Sequence, residues 1–335
     1  QLLYVPGRHG KGTEEMKHLF IINPAAGKKD QTAAYEAKIR PACEARGLDY
    51  EIAVSTHPGN CRTLARRAAE TGEEVRLYAC GGDGTLNEIV NGAAGFPNAA
   101  VTHFAGGSGN DFVKIFTQTE PFRDINALLD EPVTEDFDLI RCGKDLAVNV
   151  CSVGFDARIG TDVAKYKKLP FVKGFGAYAL SAVVNTVKRV KEHYIVTVNG
   201  EVIDGSETLI LAANGRYYGG GFMPVAEARM DDGVLNTLVV DKVNRRTLVK
   251  FVGSYSKGQY YKFPHLAHCG TPREVIISSK KEDIVTCLDG ESILTDRVVI
   301  RMADKKLNFF GPDGCDCNTT TVPLPSEASA QKVNL

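Results

Sequence analysis

Val75-Arg76-Leu77-Tyr78-Ala79-Cys80, then Gly81-Gly82-Asp83-Gly84-Thr85, then Leu86-Asn87-Glu88-Ile89-Val90 decide the reading of this chain: an apolar run, a glycine turn and a helical segment. Three glycines in four positions let the backbone approach a ligand, because no Cβ stands in the way. A helix starting there aims its unbonded N–H groups and positive dipole end at that ligand. An aspartate in the turn would repel a bare phosphate; it suits a magnesium ion, or a water on that ion. The turn therefore predicts a nucleoside triphosphate with its metal.

Apolar runs and helical segments alternate from Met16 to about Leu129. Strands are expected at His18–Asn23, Tyr50–Ser55, Val75–Cys80 and Ala100–Phe104. Helices are expected at Gln31–Arg46, Asn60–Thr71 and from Leu86, with a short one at Asp111–Phe116. That order predicts a doubly wound, mostly parallel sheet with ligands at the carboxyl ends of its strands. After Val133 short β-rich runs take over: Leu146–Val150, Tyr194–Val198, Thr208–Ala213, Leu235–Val240, Glu274–Ser278, Ile284–Leu288 and Arg297–Met302. With turn pairs such as Asn199-Gly200 and Asp204-Gly205, they predict an antiparallel sandwich, interrupted by helices at Gly176–Val190 and Arg246–Lys257. The expected layout is a disordered extension over 1–15, an α/β domain over 16–132 rejoined by about 303–312, a β-rich domain over 133–302, and a disordered tail over 315–335. Met16, just before the first strand, reads as the native start.

The chain has 335 residues, which favours two domains. Forty basic residues against 41 acidic ones leave a net charge of −1, so total charge predicts no nucleic-acid partner. No stretch approaches the roughly 20 apolar residues of a membrane span, and no secretory signal is visible. Nine cysteines lie scattered; Cys80, Cys142, Cys151 and Cys287 read as buried hydrophobes of a reducing compartment. His265-x-x-His268-Cys269 and Cys315-x-Cys317 lack the second pair a zinc site needs.

Two more loops end strands. Asn23-Pro24-Ala25-Ala26-Gly27-Lys28 is not a Walker P-loop, which would need glycine at Ile22 and Ser/Thr at Lys29. Gly106-Gly107-Ser108-Gly109-Asn110-Asp111 is not a hydrolase elbow, which would need glycine at Asn110. Asn110 or Ser108 could equally cap the next helix, and Thr56 could cap the helix near Asn60. Leu288-Asp289-Gly290-Glu291 reads either as a hairpin turn or as a carboxylate placed for chemistry.

Taken in order, these loops resemble the diacylglycerol kinase catalytic-domain family, the bacterial YegS-like lipid kinases of the sphingosine kinase superfamily. NAD kinases and 6-phosphofructokinases share the turn at 81–85. The resemblance spans Met16 to Gly311 and implies an NAD kinase/phosphofructokinase-like first domain and a lipid-substrate sandwich. It implies ATP bound by Asn23, Lys28, Thr56, Gly81, Gly82, Asp83, Gly84, Thr85, Glu88, Ser108 and Asn110, with Mg2+ organised by Asp83. It places a structural magnesium on Asp231, Asp232 and the Val234 carbonyl, and acceptor chemistry on Asp289 with Glu291. Gly219-Gly220-Gly221-Phe222 is similar to a substrate-facing loop. The implied reaction moves the γ-phosphate of ATP to diacylglycerol or a related lipid, giving phosphatidic acid. Rival readings are an NAD kinase-like phosphotransferase on a soluble substrate and a non-catalytic nucleotide-binding regulator.

The same resemblance implies a cytoplasmic enzyme, peripheral to the inner membrane face, often a homodimer. Local charge alone reads either as two solvated helix faces or as a bilayer contact, and the resemblance selects the bilayer. Arg158–Tyr194 holds eight basic residues against two acids, and Lys242–Lys262 holds six more, both interleaved with aromatics. Such faces suit anionic headgroups.

Overall fold

The structure is a computed structural model describing residues 16–27, 29–130, 132–154, 194–205, 207–241, 243–279 and 283–317. The expected helix Gly176–Val190, the basic stretch from Arg158, Lys28, the extension over 1–15 and the tail from 318 lie outside the described residues. The chain forms two compact units: one runs to Phe137 and resumes at Lys305, the other spans Asp138–Asp304.

In the first unit, β1 (Lys17–Ile22), β2 (Tyr50–Val54), β3 (Val75–Gly81) and β4 (Ala99–Ala105) run parallel. Helices α1 (Thr32–Arg46), α2 (Asn60–Ala69) and α3 (Asp83–Ala93) connect them, and α4 (Ile125–Leu129) follows. The sheet order is β2-β1-β3-β4-β18-β5. Here β18 (Leu307–Gly311) lies parallel to β4, and β5 (Val133–Phe137) pairs antiparallel to β18. Val133–Phe137, read above as the start of the second domain, is thus an edge strand of the first sheet. The buried sequences of β1, β3 and β4 are nearly continuous apolar runs, as parallel strands covered on both faces require. Phe112, Phe116, Phe122, Phe137 and Phe309 pack ring against ring beside it.

The second unit holds two six-stranded antiparallel sheets. One orders β10 (Glu201–Gly205), β9 (Tyr194–Val198), β14 (Glu274–Ser278), β17 (Arg297–Met302), β6 (Ile140–Cys142) and β7 (Asp145–Ala147). The other orders β13 (Ala267–Gly270), β12 (Asn236–Asp241), β11 (Glu207–Ala213), β8 (Val150–Gly154), β15 (Ile284–Leu288) and β16 (Glu291–Thr295). Alternation along β11 shows how they stack. Ile210 and Ala212 join Val196, Val275, Ile277 and Ile300 in one core, whereas Leu209, Leu211 and Ala213 face Leu248, Phe251 and Tyr255 of the helix Arg245–Tyr255. The sheet that contains β11 is therefore apolar on both faces, packed between the other sheet of this unit and that helix.

Three local readings are corrected. The run Leu146–Val150 is not one strand: β7 ends at Ala147 and β8 begins at Val150. Asp204-Gly205 is not a turn but the end of β10, paired with Ile195 and Tyr194. The segment Cys315–Cys317, assigned to the tail, is placed: Cys315 is buried and Cys317 bridges to Phe116. The four cysteines read as buried are buried, and no cysteine among the described residues is in a disulfide.

Candidate functional site

The carboxyl ends of β1, β3 and β4 carry the three loops. The Gly81 carbonyl accepts from the N–H groups of Gly106 and Gly107 and from His103 Nε2 at 3.1 Å, which locks the second loop to the third. Close approach makes the glycines obligatory. A Cβ on Gly107 would lie 2.5 Å from the Gly82 Cα and 2.7 Å from Asn110 Oδ1; one on Gly81 would lie 2.3 Å from Thr85 Oγ1. The first loop is tied in by Asn23 Nδ2, which donates to Thr85 Oγ1 at 3.2 Å. Beneath the turn, burial pushes the His103 imidazole down to about 4, partly offset by its bond to Gly81.

Asn110 sits at φ 49° and is buried; its Nδ2 donates to the Gly107 carbonyl, and its Oδ1 has no partner. An orphaned buried acceptor is uncommon enough to mark a place where a donor belongs. Ser108 is exposed beside it. Neither caps the following 3-10 helix, Phe112–Ile115. The Phe112 N–H is taken instead by Asp83 Oδ1 at 3.2 Å. Asp83 Oδ2 lies under Gly109, 2.9 Å from where a Cβ would stand there. The Asp83 carboxylate thus staples the second loop to the third rather than facing outward. Burial raises its pKa, while the N–H groups of Phe112 and Asp111 and the Lys114 ammonium pull it back.

Glu88 is similarly engaged. Both its oxygens accept from the start of α2, from Gly59 N at 3.0 Å and Cys61 N at 3.1 Å. The helix N-terminus that Thr56 could have capped is therefore capped from α3. Thr56 is exposed and bonds the Asn60 side chain. Gly82 and Gly84 stand at the start of α3, whose first turn includes Asp83.

In the second unit, Asp289-Gly290 is a two-residue hairpin turn between β15 and β16, with φ 48° and 100°. It is also more than a turn. Asp289 Oδ2 accepts from Val148 N at 2.5 Å, and Oδ1 accepts from Asn149 N and Val150 N, both at 2.9 Å. The break between β7 and β8 exists at this nest: three successive amides turn to one carboxylate, so none is left for a strand ladder. Glu291, first residue of β16, is exposed. Behind the nest stand Asn149 and Asn214-Gly215, which sequence reasoning did not single out. The available signals were an asparagine interrupting an apolar run and an Asn-Gly pair closing the strand that ends at Ala213.

The metal loop is less well matched. Asp231 is paired with Arg229 at 3.0 Å, and Asp232 Oδ1 accepts from Val234 N. The Gly233 N–H goes to Asp138 Oδ2 at 2.7 Å. Among the described residues no group of three or more His, Cys, Asp or Glu side chains is arranged around a cation position. Asp83 and Asp231 have other partners, so they do not fit as direct magnesium ligands.

The comparisons with known proteins follow the same two units. The diacylglycerol kinase catalytic domain matches residues 17–142, and the YegS C-terminal NAD kinase beta sandwich-like domain matches residues 149–310. A protein of Staphylococcus epidermidis named as a candidate lipid kinase is 30% identical over 180 residues, covering 53% of this chain and 58% of its own length. One of Staphylococcus aureus with the same description is 26% identical over 167 residues, covering 50% and 54%. The chain thus spans little more than half the length of the curated relatives it matches. The crystal structure of a diacylglycerol kinase from Bacillus anthracis superposes with a TM-score of 0.67 at 22% identity, over 90% of this chain and 99% of that one, and shares the fold. With one domain matched in each unit, the chain belongs to the diacylglycerol kinase catalytic-domain family, with a YegS-type sandwich after it.

Proposed function

We propose that this protein is an ATP-dependent lipid kinase that transfers the γ-phosphate to the hydroxyl of diacylglycerol or a related lipid, giving phosphatidic acid from diacylglycerol. The observation that carries the nucleotide half is the cradle where Gly82 and Gly107 touch, with the orphaned Asn110 Oδ1 beside it. A polyanion gains from bare backbone amides and a helix start, and a base or ribose donor would satisfy the buried oxygen. Gly81, Gly82, Gly84 and Thr85 shape the phosphate site. Asn23 and Asn110 line the nucleotide, with Ser108 and Thr56 at its rim. Asp83 and Glu88 act by holding loops and α2 in place.

Asp289 is the group assigned to the acceptor. Three N–H donors hold its carboxylate in one orientation, so it orients the attacking hydroxyl and takes the proton as the O–P bond forms. Phosphoryl transfer proceeds through a loose transition state in which that proton leaves late, so a weak base suffices. The bond to the γ-phosphorus forms as the bond to the β-bridging oxygen breaks, and ADP leaves.

The lipid acceptor also gives a reason for the helix Arg245–Tyr255. Its outward residues Arg246 and Lys250, with Lys257 just beyond its end, are exposed on one stripe, and no acidic residue occurs between Lys242 and Arg273. That stripe is assigned to an anionic bilayer surface. The reading is tested by labelled phosphate transfer from ATP to a panel of diacylglycerol, a long-chain base and NAD. Labelled phosphatidic acid is the expected product; label in NAD alone, or none in any acceptor despite ATP binding, overturns it.

A further inference from the structure

The nest that grips Asp289 is itself gripped from behind. The peptide group between residues 148 and 149 offers its N–H to Asp289 Oδ1, while its carbonyl, that of Val148, accepts from Asn214 Nδ2 at 2.8 Å. The next peptide group, between 149 and 150, repeats the arrangement. Its N–H also goes to Oδ1, and its carbonyl, that of Asn149, accepts from the backbone N–H groups of Asn214 at 2.8 Å and Gly215 at 2.9 Å. Two parallel chains of hydrogen bonds therefore run from Asn214-Gly215, through two peptide groups, into one carboxylate oxygen.

The polarity is uniform along both chains. A donor on a peptide carbonyl makes the N–H of the same group a better donor, so successive bonds strengthen each other. The second Nδ2 hydrogen of Asn214 goes to the Asp138 carbonyl at 2.7 Å, which fixes the amide plane and its orientation. Asn214 is wholly buried. The segment also has no room to drift: a Cβ on Gly215 would stand 2.3 Å from Asn149 Oδ1. An aspartate at 214 would set oxygen against both the Val148 and Asp138 carbonyls, and no other small side chain offers two hydrogens from one atom.

We infer that Asn214 is a positioning residue for Asp289, acting through the peptide groups 148–149 and 149–150 and never touching the acceptor itself. The inference rests on the assignment of Asp289 made above. It predicts a loss in the chemical step and none in nucleotide binding.

The test compares initial rates of ATP-dependent phosphorylation of diacylglycerol in mixed micelles for the full chain, Asn214→Ala, Asp289→Ala and the double variant, with amide hydrogen exchange on each. Asn214→Ala is expected to lower kcat about 10- to 100-fold, as loss of an outer partner does. The KM for ATP should stay within about twofold, since no nucleotide contact is lost. The double variant should be no slower than Asp289→Ala alone, because residues acting as a unit are not additive. Exchange at Asn149 and Val150 should quicken in Asn214→Ala. Wild-type kcat in Asn214→Ala, or a double variant slowed by the product of the two single losses, overturns the inference while leaving the kinase reading intact. Wild-type kcat in Asp289→Ala overturns the assignment of Asp289 instead, and unchanged exchange at Asn149 and Val150 then overturns the positioning as well. Should Asn214→Ala fail to fold, Asn214→Ser carries the same comparison with a smaller change in volume.

Discussion

Replacing Asp289 by asparagine changes one oxygen into an NH2 group at a site where three backbone donors converge. The best the amide can do is keep its oxygen on the Asn149 and Val150 N–H groups and turn its nitrogen to the Val148 N–H. That leaves a donor facing a donor at a buried amide, which costs about 1–3 kcal/mol. The two retained bonds lose the charge that roughly doubles the strength of each, about 1 kcal/mol more. Asp289→Asn should therefore destabilise the second unit by about 2–4 kcal/mol. Urea denaturation with a check on the m-value reads the total. Amide exchange at Val148, Asn149 and Val150 locates it. An asparagine variant within about 0.5 kcal/mol of the parent, with unchanged protection at those three amides, refutes the nest as a source of stability. The point matters for mechanism, because lost activity in this variant mixes a missing base with a loosened hairpin. Activity must be compared at temperatures where both proteins are folded.

Other outcomes follow from the first unit and the helix. Gly107→Ala drives a methyl against the Gly82 backbone and should cost about 1–3 kcal/mol and weaken ATP binding, read by calorimetry; unchanged affinity removes the cradle from the nucleotide site. Glu88→Gln sets an amide NH2 against Gly59 or Cys61 N–H and should lower stability by about 1–2 kcal/mol, read by thermal melting. Buried His18 and His103 are each held down to about 4 from an ordinary 6.5, so the unfolded chain takes protons that the folded one refuses. Stability should be complete above pH 6.5 and fall as pH drops from there towards 4, by on the order of 3 kcal/mol per histidine; a denaturation midpoint flat between pH 7 and 5 contradicts this. Arg246→Glu with Lys250→Glu and Lys257→Glu should abolish sedimentation with vesicles containing phosphatidylglycerol and leave transfer to a short-chain, water-soluble acceptor unchanged; retained sedimentation moves the bilayer contact elsewhere.

Much of the architecture was legible because periodicity reports burial. The parallel strands β1, β3 and β4 are apolar on both faces, and the α/β alternation around them left little choice. Strands with a half-polar pattern were missed: in Val133–Phe137 only Phe137 is buried, so nothing marks it as a strand until β18 arrives to pair with it. Asp204-Gly205 carried a turn signal that pairing with β9 overrode. In the site, the glycines were readable because their spacing encodes close approach. The carboxylates were not, since composition cannot say whether Asp83 faces a ligand or the neighbouring loop, nor that Glu88 closes the end of α2. Asn214 was hidden for the same reason, its partners lying 66 and 76 positions away along the chain.

The place of β18 has a consequence for how the protein is made. Leu307–Gly311 fills an interior slot between β4 and β5, and Phe309 and Phe310 are fully enclosed. During synthesis the strands β1 to β4 must wait, with one side of β4 unpaired, while the whole inserted sandwich is translated. A stop codon a few dozen bases before the Leu307 codon would spare every loop that reads as nucleotide-binding and still leave their sheet without its keystone.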